Sequence, residues 1–275
     1  MDSMKARLLT AAIGIPLAVV LLFLGERFNI IMYIIVSVLA LIMVFELLSA
    51  RKLHNNLKIF IPCAVYAIIQ PLAVPLKLGY FTLFIYLIAM FLIMIIDNSR
   101  ISYQDISFTL IGEILIVLGL TSMLLLPARY NNCYTIFFVF SIGTPWCADA
   151  GAYFAGVFLG KHKLCPKISP NKTVEGFIGG LIAGVISAVI IALIYSFLYP
   201  NAKFNYLIVL FIGLAATAVS VLGDLSFSLI KRSCNIKDYG SIFPGHGGFL
   251  DRFDSVIFAA PMVYFIGKAF VIFTV

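Results

Sequence analysis

Apolar runs of roughly 17 to 25 residues recur along the whole chain, with almost no charge inside them. A helix crosses the ~30 Å hydrocarbon core of a bilayer in about 20 residues. Lipid offers no hydrogen bonds, so only segments that satisfy their own backbone, helices or closed barrels, can span it. Alternating strand patterns of about ten residues, the mark of a barrel, are absent. Composition agrees: 63% of residues are hydrophobic and 11% charged, with a mean hydropathy of +1.10, whereas a soluble domain carries about 25% charge. The expected fold is all-α, a polytopic membrane protein with about nine transmembrane helices. The runs fall near 8–25, 28–49, 59–76, 80–96, 106–127, 133–159, 174–199, 204–230 and 255–275.

Pro71 and Pro75 break the second half of the third run. Lys5 and Arg7 before the apolar stretch Leu8–Gly25 imitate a signal peptide, but Gly25-Glu26-Arg27 gives no small-x-small cleavage site, so a retained first span is expected. Residues 79–96 read as a lipid-facing or packing helix. Glycines at 176, 180 and 184, and at 156 and 160, repeat at the four-residue spacing that lets helices pack closely.

Basic residues set the orientation. With the N-terminus cytoplasmic, 14 of the 19 basic residues fall on the inner side, Arg51, Lys52, Lys58 and Arg100 among them; the outer side keeps Arg27, Lys77, Arg129, Lys203 and Lys268. The net charge of +7 is thus the ordinary topology signal, and it favours anionic headgroups over nucleic acid. The five cysteines are scattered, with no C-x-x-C pair, and the three histidines lack metal-ligand spacing, which argues against a disulfide framework or a zinc site.

Two polar blocks interrupt this apolar background. Gly160–Gly176 carries four lysines and two prolines before an apolar run. Ser169 or Asn171 is placed to cap the following helix, with Glu175 serving its first turn. A stiffened loop bearing cations at a helix N-terminus suits an anion such as phosphate. The second block, Ser228–Asp254, holds Lys231, Arg232, Lys237, Asp238, His246, Asp251, Arg252 and Asp254 around the glycines of Pro244-Gly245-His246-Gly247-Gly248. Asp224, Ser228 and Lys231 stack on one helix face, and the glycine run can turn tightly and offer N–H groups to an anion. Asp149 and Asp224 lie within apolar segments, where a carboxylate is costly and a functional candidate. Glu46 and Glu113 are open between a function and a helix-end or interhelical hydrogen bond. Carboxylates beside several cations are the elements of a phosphate-transfer site.

The run Ser228-x-x-Lys231-Arg232, Lys237-Asp238 and Pro244-Gly245-His246-Gly247-Gly248-x-x-Asp251-Arg252-x-Asp254 resembles the diagnostic motif of the phosphatidate cytidylyltransferases, or CDP-diacylglycerol synthases. Asp149-x-x-Ala152-Tyr153-Phe154-x-Gly156, Gly160-Lys161 and Ser169-Pro170-x-Lys172-Thr173-x-Glu175-Gly176 resemble that family's second block. Asn171 stands where many members carry a second basic residue.

The resemblance implies transfer of CMP from CTP to phosphatidic acid, giving CDP-diacylglycerol and pyrophosphate in phospholipid biosynthesis. It implies Mg²⁺, with room for a second cation, a homodimer, and an active site on the cytoplasmic face of a bacterial inner membrane. Asp224 and Asp251 are expected as metal ligands, with Asp149 a third candidate. Lys172, Lys231, Arg232, Lys237 and Arg252 would contact phosphates, and His246 would donate to pyrophosphate. Asp238 and Asp254 would orient basic residues, while Ser169, Glu175, Ser228, Gly245, Gly247 and Gly248 would line the substrate site.

Residues 1–130 are expected as packing and oligomerisation helices, and 131–275 as the catalytic region with cytoplasmic loops 160–173 and 231–254. Two other readings fit parts of the pattern. A CTP-dependent polyprenol or phytol kinase would release CDP in place of pyrophosphate. An ion-coupled transporter would need carboxylates in the outer half of the spans too, and those halves are nearly uncharged.

Overall fold

The computed structural model describes residues 20–130, 133–166, 168–242 and 247–274. The chain forms two compact units, one of residues up to Leu124 together with Lys231–Arg252, the other of Leu125–Ile230 together with Phe253–Val275.

In the first unit, helix α1, described over 20–27, leads into α2 (Asn29–Ser49), α3 (Leu57–Leu72), α4 (Gly79–Ile96) and α5 (Tyr103–Thr121). Two of these starts have a side-chain cap. Asn56 caps α3 by accepting from Lys58 N at 3.1 Å, and Ser102 caps α5 by accepting from Asp105 N at 3.1 Å. α3 ends at Leu72, one residue past Pro71, as the prolines predict. Polar side chains bind the helices together inside an apolar setting. Ser37 donates to the carbonyl of Ile68 at 2.9 Å, and Tyr86 donates to the buried Glu113 at 2.5 Å. For Glu113 the interhelical hydrogen bond is therefore what the structure contains. α4 turns most of its surface outward, Met90 and Tyr86 being its buried residues, in keeping with a lipid-facing helix.

The second unit holds α6 (Tyr134–Leu159), α7 (Val174–Leu198), most of α8 (Tyr206–Ser233) and most of α9 (Leu250–Ala269). Small residues bring α6 and α7 together as the glycine spacing foretold: a Cβ on Gly176 would sit 2.8 Å from the carbonyl oxygen of Ala152, and one on Gly180 3.1 Å from that of Ala148. At one end, Tyr130, Phe137, Tyr195, Phe204 and Phe273 form an aromatic cluster. Arg129 donates there to the last carbonyls of α9, Gly267 at 2.9 Å and Lys268 at 2.6 Å, and so caps a helix C-terminus with a cation.

Two small antiparallel ribbons qualify the all-helical expectation. β1 (Lys163–Cys165) pairs with β2 (Ser169–Thr173), and β3 (Lys203–Phe204) pairs with β4 (Phe273–Thr274). Among the described residues, five segments are long and apolar enough to cross a membrane: Asn29–Ser49, Gly79–Ile96, Tyr103–Arg129, Val174–Leu198 and Tyr206–Ser233. The chain is a helical membrane protein on that footing. The other expected spans fall short for identifiable reasons. Residues 8–25 lie largely outside the described residues, and Leu57–Leu72 has only 16 residues. α6 is diluted by Thr144, Pro145, Trp146 and Asp149, and α9 begins with Asp251, Arg252 and Asp254.

Candidate active site

Within the first unit, the second polar block is held by two carboxylates. Helix α8 ends in a Schellman turn: Ile236 N bonds to the carbonyl of Lys231 at 3.1 Å and Asn235 N to that of Arg232 at 3.0 Å, with Asn235 left-handed at φ 56°. The turn fixes Lys231 at the helix end. Its ammonium then reaches Asp251 Oδ1, in the first turn of α9, at 2.8 Å. Asp251 Oδ2 accepts two backbone N–H groups, from Tyr239 at 2.8 Å and Gly248 at 3.0 Å. The pair is nearly sealed, with side-chain exposures of 11% for Lys231 and 3% for Asp251. Gly247 is left-handed at φ 79°, and a Cβ there would lie 2.7 Å from Asp251 Oδ2, so both its conformation and its surroundings demand glycine.

Glu46 supplies the second anchor. Its carboxylate, near the C-terminal end of α2, accepts from Phe249 N at 3.0 Å and Leu250 N at 2.7 Å, N–H groups at the start of α9 that have no partner within the helix. An anion there also suits the positive end of the helix dipole. Gly240 and Gly248 pass so close that a Cβ on either would strike the Glu46 carboxylate. Sequence reasoning left Glu46 open. Its one signal was a carboxylate at the end of an apolar run.

The exposed members of this block are Arg232, Lys237, Asp238 and Arg252. Arg232 donates to the carbonyl of Ile236 at 3.3 Å. Asp238, expected to orient basic residues, is exposed and makes no ion pair among the described residues. Gly245 and His246 lie outside the described residues.

The second unit holds the other block. Thr173 ends β2 and caps α7, accepting from Gly176 N at 3.0 Å. Ser169 and Asn171, expected as caps, lie in β2 instead, because strand pairing with β1 carries the chain on to Thr173 before the helix starts. Glu175 reaches back over the ribbon: it accepts from Lys161 N at 3.0 Å and His162 N at 3.2 Å, and meets His162 Nδ1 at 2.6 Å. It therefore ties the preceding turn. Lys172, on β2, forms an ion pair with Asp224 of α8, with exposures of 27% and 26%. Ser228 is half-buried on α8 and Asp149 exposed on α6. Asp254 is buried and accepts from Ser255 N at 2.7 Å.

Three donors meet the two oxygens of Asp251, which thereby anchors the loop. Asp224 has one cationic partner and a quarter of its side chain open, which suits a carboxylate that meets an incoming cation. Among the described residues no group of three or more His, Cys, Asp or Glu side chains stands together as a metal cage.

A profile described as the cytidylyltransferase family matches residues 5–270. A phosphatidate cytidylyltransferase of Bacillus subtilis is 33% identical over 278 residues, covering 97% of this chain and 98% of its own. One from Staphylococcus aureus is 36% identical over 268 residues, covering 94% and 97%. One from Staphylococcus haemolyticus is 34% identical over 265 residues, covering 94% and 97%.

Proposed function

Since the chain belongs to the cytidylyltransferase family, we propose that it transfers CMP from CTP to phosphatidic acid, giving CDP-diacylglycerol and pyrophosphate. The observation that carries this reading is a glycine-bearing polar loop, clamped by Asp251 and Glu46, next to a helix end that fixes Lys231, with Arg232, Lys237 and Arg252 exposed. That arrangement belongs with a polyphosphate, and the apolar helices around it belong with a lipid.

The second pKa of a phosphate monoester is about 6, so the lipid phosphate is already nucleophilic at neutral pH without a general base. Its oxygen bonds to the α-phosphorus of CTP as the bond to the bridging oxygen of the β-phosphate breaks, and pyrophosphate leaves with the electron pair. Catalysis is then positioning plus charge compensation. Lys231, held in one place by Asp251, offers a fixed charge. Lys172, Arg232, Lys237 and Arg252 pair with phosphate oxygens, and His246 with Gly245 completes the pyrophosphate side. In the second unit Lys172 would exchange Asp224 for a phosphate oxygen, which would leave the Asp224 carboxylate to help hold a cation. Mg²⁺, when bound, would supply positive charge that offsets charge building on the leaving group. We place the enzyme in a bacterial inner membrane as a nine-span homodimer, with both polar blocks facing the cytoplasm.

The test is pyrophosphate release by the full-length protein in detergent with phosphatidic acid, Mg²⁺ and CTP, each omitted in turn. Release that needs all three, with CDP-lipid forming in step, supports the proposal. Formation of CDP from CTP and a lipid alcohol would replace it with a kinase.

A further inference from the structure

In the first unit the connections α2–α3 and α4–α5 meet around an open cavity of about 490 Å³, lined by Lys52, Asn55, Asn56, Leu57, Lys58, Asp97 and Arg100. None of these belongs to the reaction described above. Three cations face one carboxylate, and that carboxylate is taken: Lys58 Nζ lies 2.7 Å from Asp97 Oδ2. The neighbouring Arg51 shows how a cation in these connections is normally settled, with Asp105 at 3.5 Å, the carbonyl of Gln104 at 3.3 Å and the ring of Phe108 at 4.9 Å. Lys52 and Arg100 have no side-chain partner of that kind among the described residues. The oxygen of the Asn56 amide is used in capping Lys58 N, which leaves its NH₂, like the amide of Asn55, able to donate into the cavity. Two uncompensated charges and two amide donors around one space make a receptor for an oxyanion.

The apolar surroundings choose among oxyanions. Leu57 and Ile61 on α3, and Ile95 and Ile96 at the end of α4, are each more than half exposed. The cavity therefore tops a strip of outward apolar side chains on helices of a membrane protein, where a headgroup phosphate meets its acyl chains. We propose that this cleft binds the phosphate of an anionic phospholipid, as a lipid site that takes no part in the chemistry. Simple retention of basic residues on the inner side would account for the charges but not for their convergence, unpaired, on one cavity.

Dioctanoyl phosphatidylglycerol is the suitable probe, since it carries a phosphodiester anion and is not the phosphomonoester the reaction consumes. Its binding to the full-length protein in detergent is measured by native mass spectrometry, beside dioctanoyl phosphatidylcholine and inorganic phosphate. The expected result is selective binding of phosphatidylglycerol. The pair Lys52→Gln and Arg100→Gln should weaken it roughly 30-fold. Arg100→Lys should keep it, as should the charge-matched pair Lys77→Gln and Lys203→Gln. Turnover at saturating CTP and phosphatidic acid should be unchanged throughout, so failure here and failure of the proposed reaction are read separately. Equal binding of phosphatidylcholine, or parental affinity in the Lys52/Arg100 variant, would overturn the proposal. Inorganic phosphate bound as tightly as the lipid, and lost in the same variant, would overturn the lipid assignment and make the site one for a soluble phosphate.

Discussion

Lys231–Asp251 in the first unit and Lys172–Asp224 in the second are the same two side-chain types in opposite settings. The first pair is nearly sealed, and its carboxylate also accepts two backbone N–H groups. The second is open by about a quarter on both sides, with a single ion pair at the carboxylate among the described residues. Surroundings divide the labour between them. A nearly sealed carboxylate with three donors cannot drop one without leaving a buried group unmatched, so it holds Lys231 and the loop in place. An open one with a single partner can give that partner up, so it can take part in binding.

Asp251→Ala should have the largest effect. It strips a buried ammonium and two N–H groups of their acceptor, and should lower stability by about 3–5 kcal/mol, seen as an earlier unfolding transition with activity lost alongside. Asp224→Ala should do the reverse, reducing turnover by roughly 10²–10³ while the unfolding temperature stays near that of the parent. A large loss of stability in the second variant would erase the contrast.

Glu46→Gln sharpens the first half of the comparison. One carboxylate oxygen becomes an NH₂ facing the N–H of Phe249 or Leu250, which should cost about 1–3 kcal/mol. Since the same loop presents Lys231, KM for CTP should rise as well, as steady-state kinetics would show. Thr173→Ala sharpens the second half: loss of the α7 cap should cost only about 1 kcal/mol, measured by denaturant unfolding.

How far the sequence reaches is visible in these same residues. Long apolar runs are local properties, and they announced α2, α4, α5, α7 and α8 within a few residues. The glycine spacing announced close helix packing for the same reason, since Gly176, Gly180 and Gly184 lie on one helix, while its partner, α6, emerged only in the structure. Gly247 and Gly248 stood out beside Asp251 in one short motif. The partner of that motif did not, because Glu46 lies about 200 residues earlier in a run that otherwise reads as lipid-soluble. Nor could spacing tell which of Asp224 and Asp251 would be sealed, because that is set by neighbours in space. The β1–β2 ribbon was hidden by its prolines and lysines, whose pairing moved the α7 cap to Thr173.

The most direct test of this division is Mn²⁺ binding, followed by electron paramagnetic resonance with CTP present, in full-length Asp224→Asn and Asp251→Asn proteins whose unfolding temperatures are measured in parallel. The account predicts weakened Mn²⁺ affinity at a near-parental unfolding temperature for Asp224→Asn, and a lowered unfolding temperature for Asp251→Asn, with metal affinity retained below it. Loss of Mn²⁺ affinity in Asp251→Asn without loss of stability, and unaltered affinity in Asp224→Asn, would contradict it.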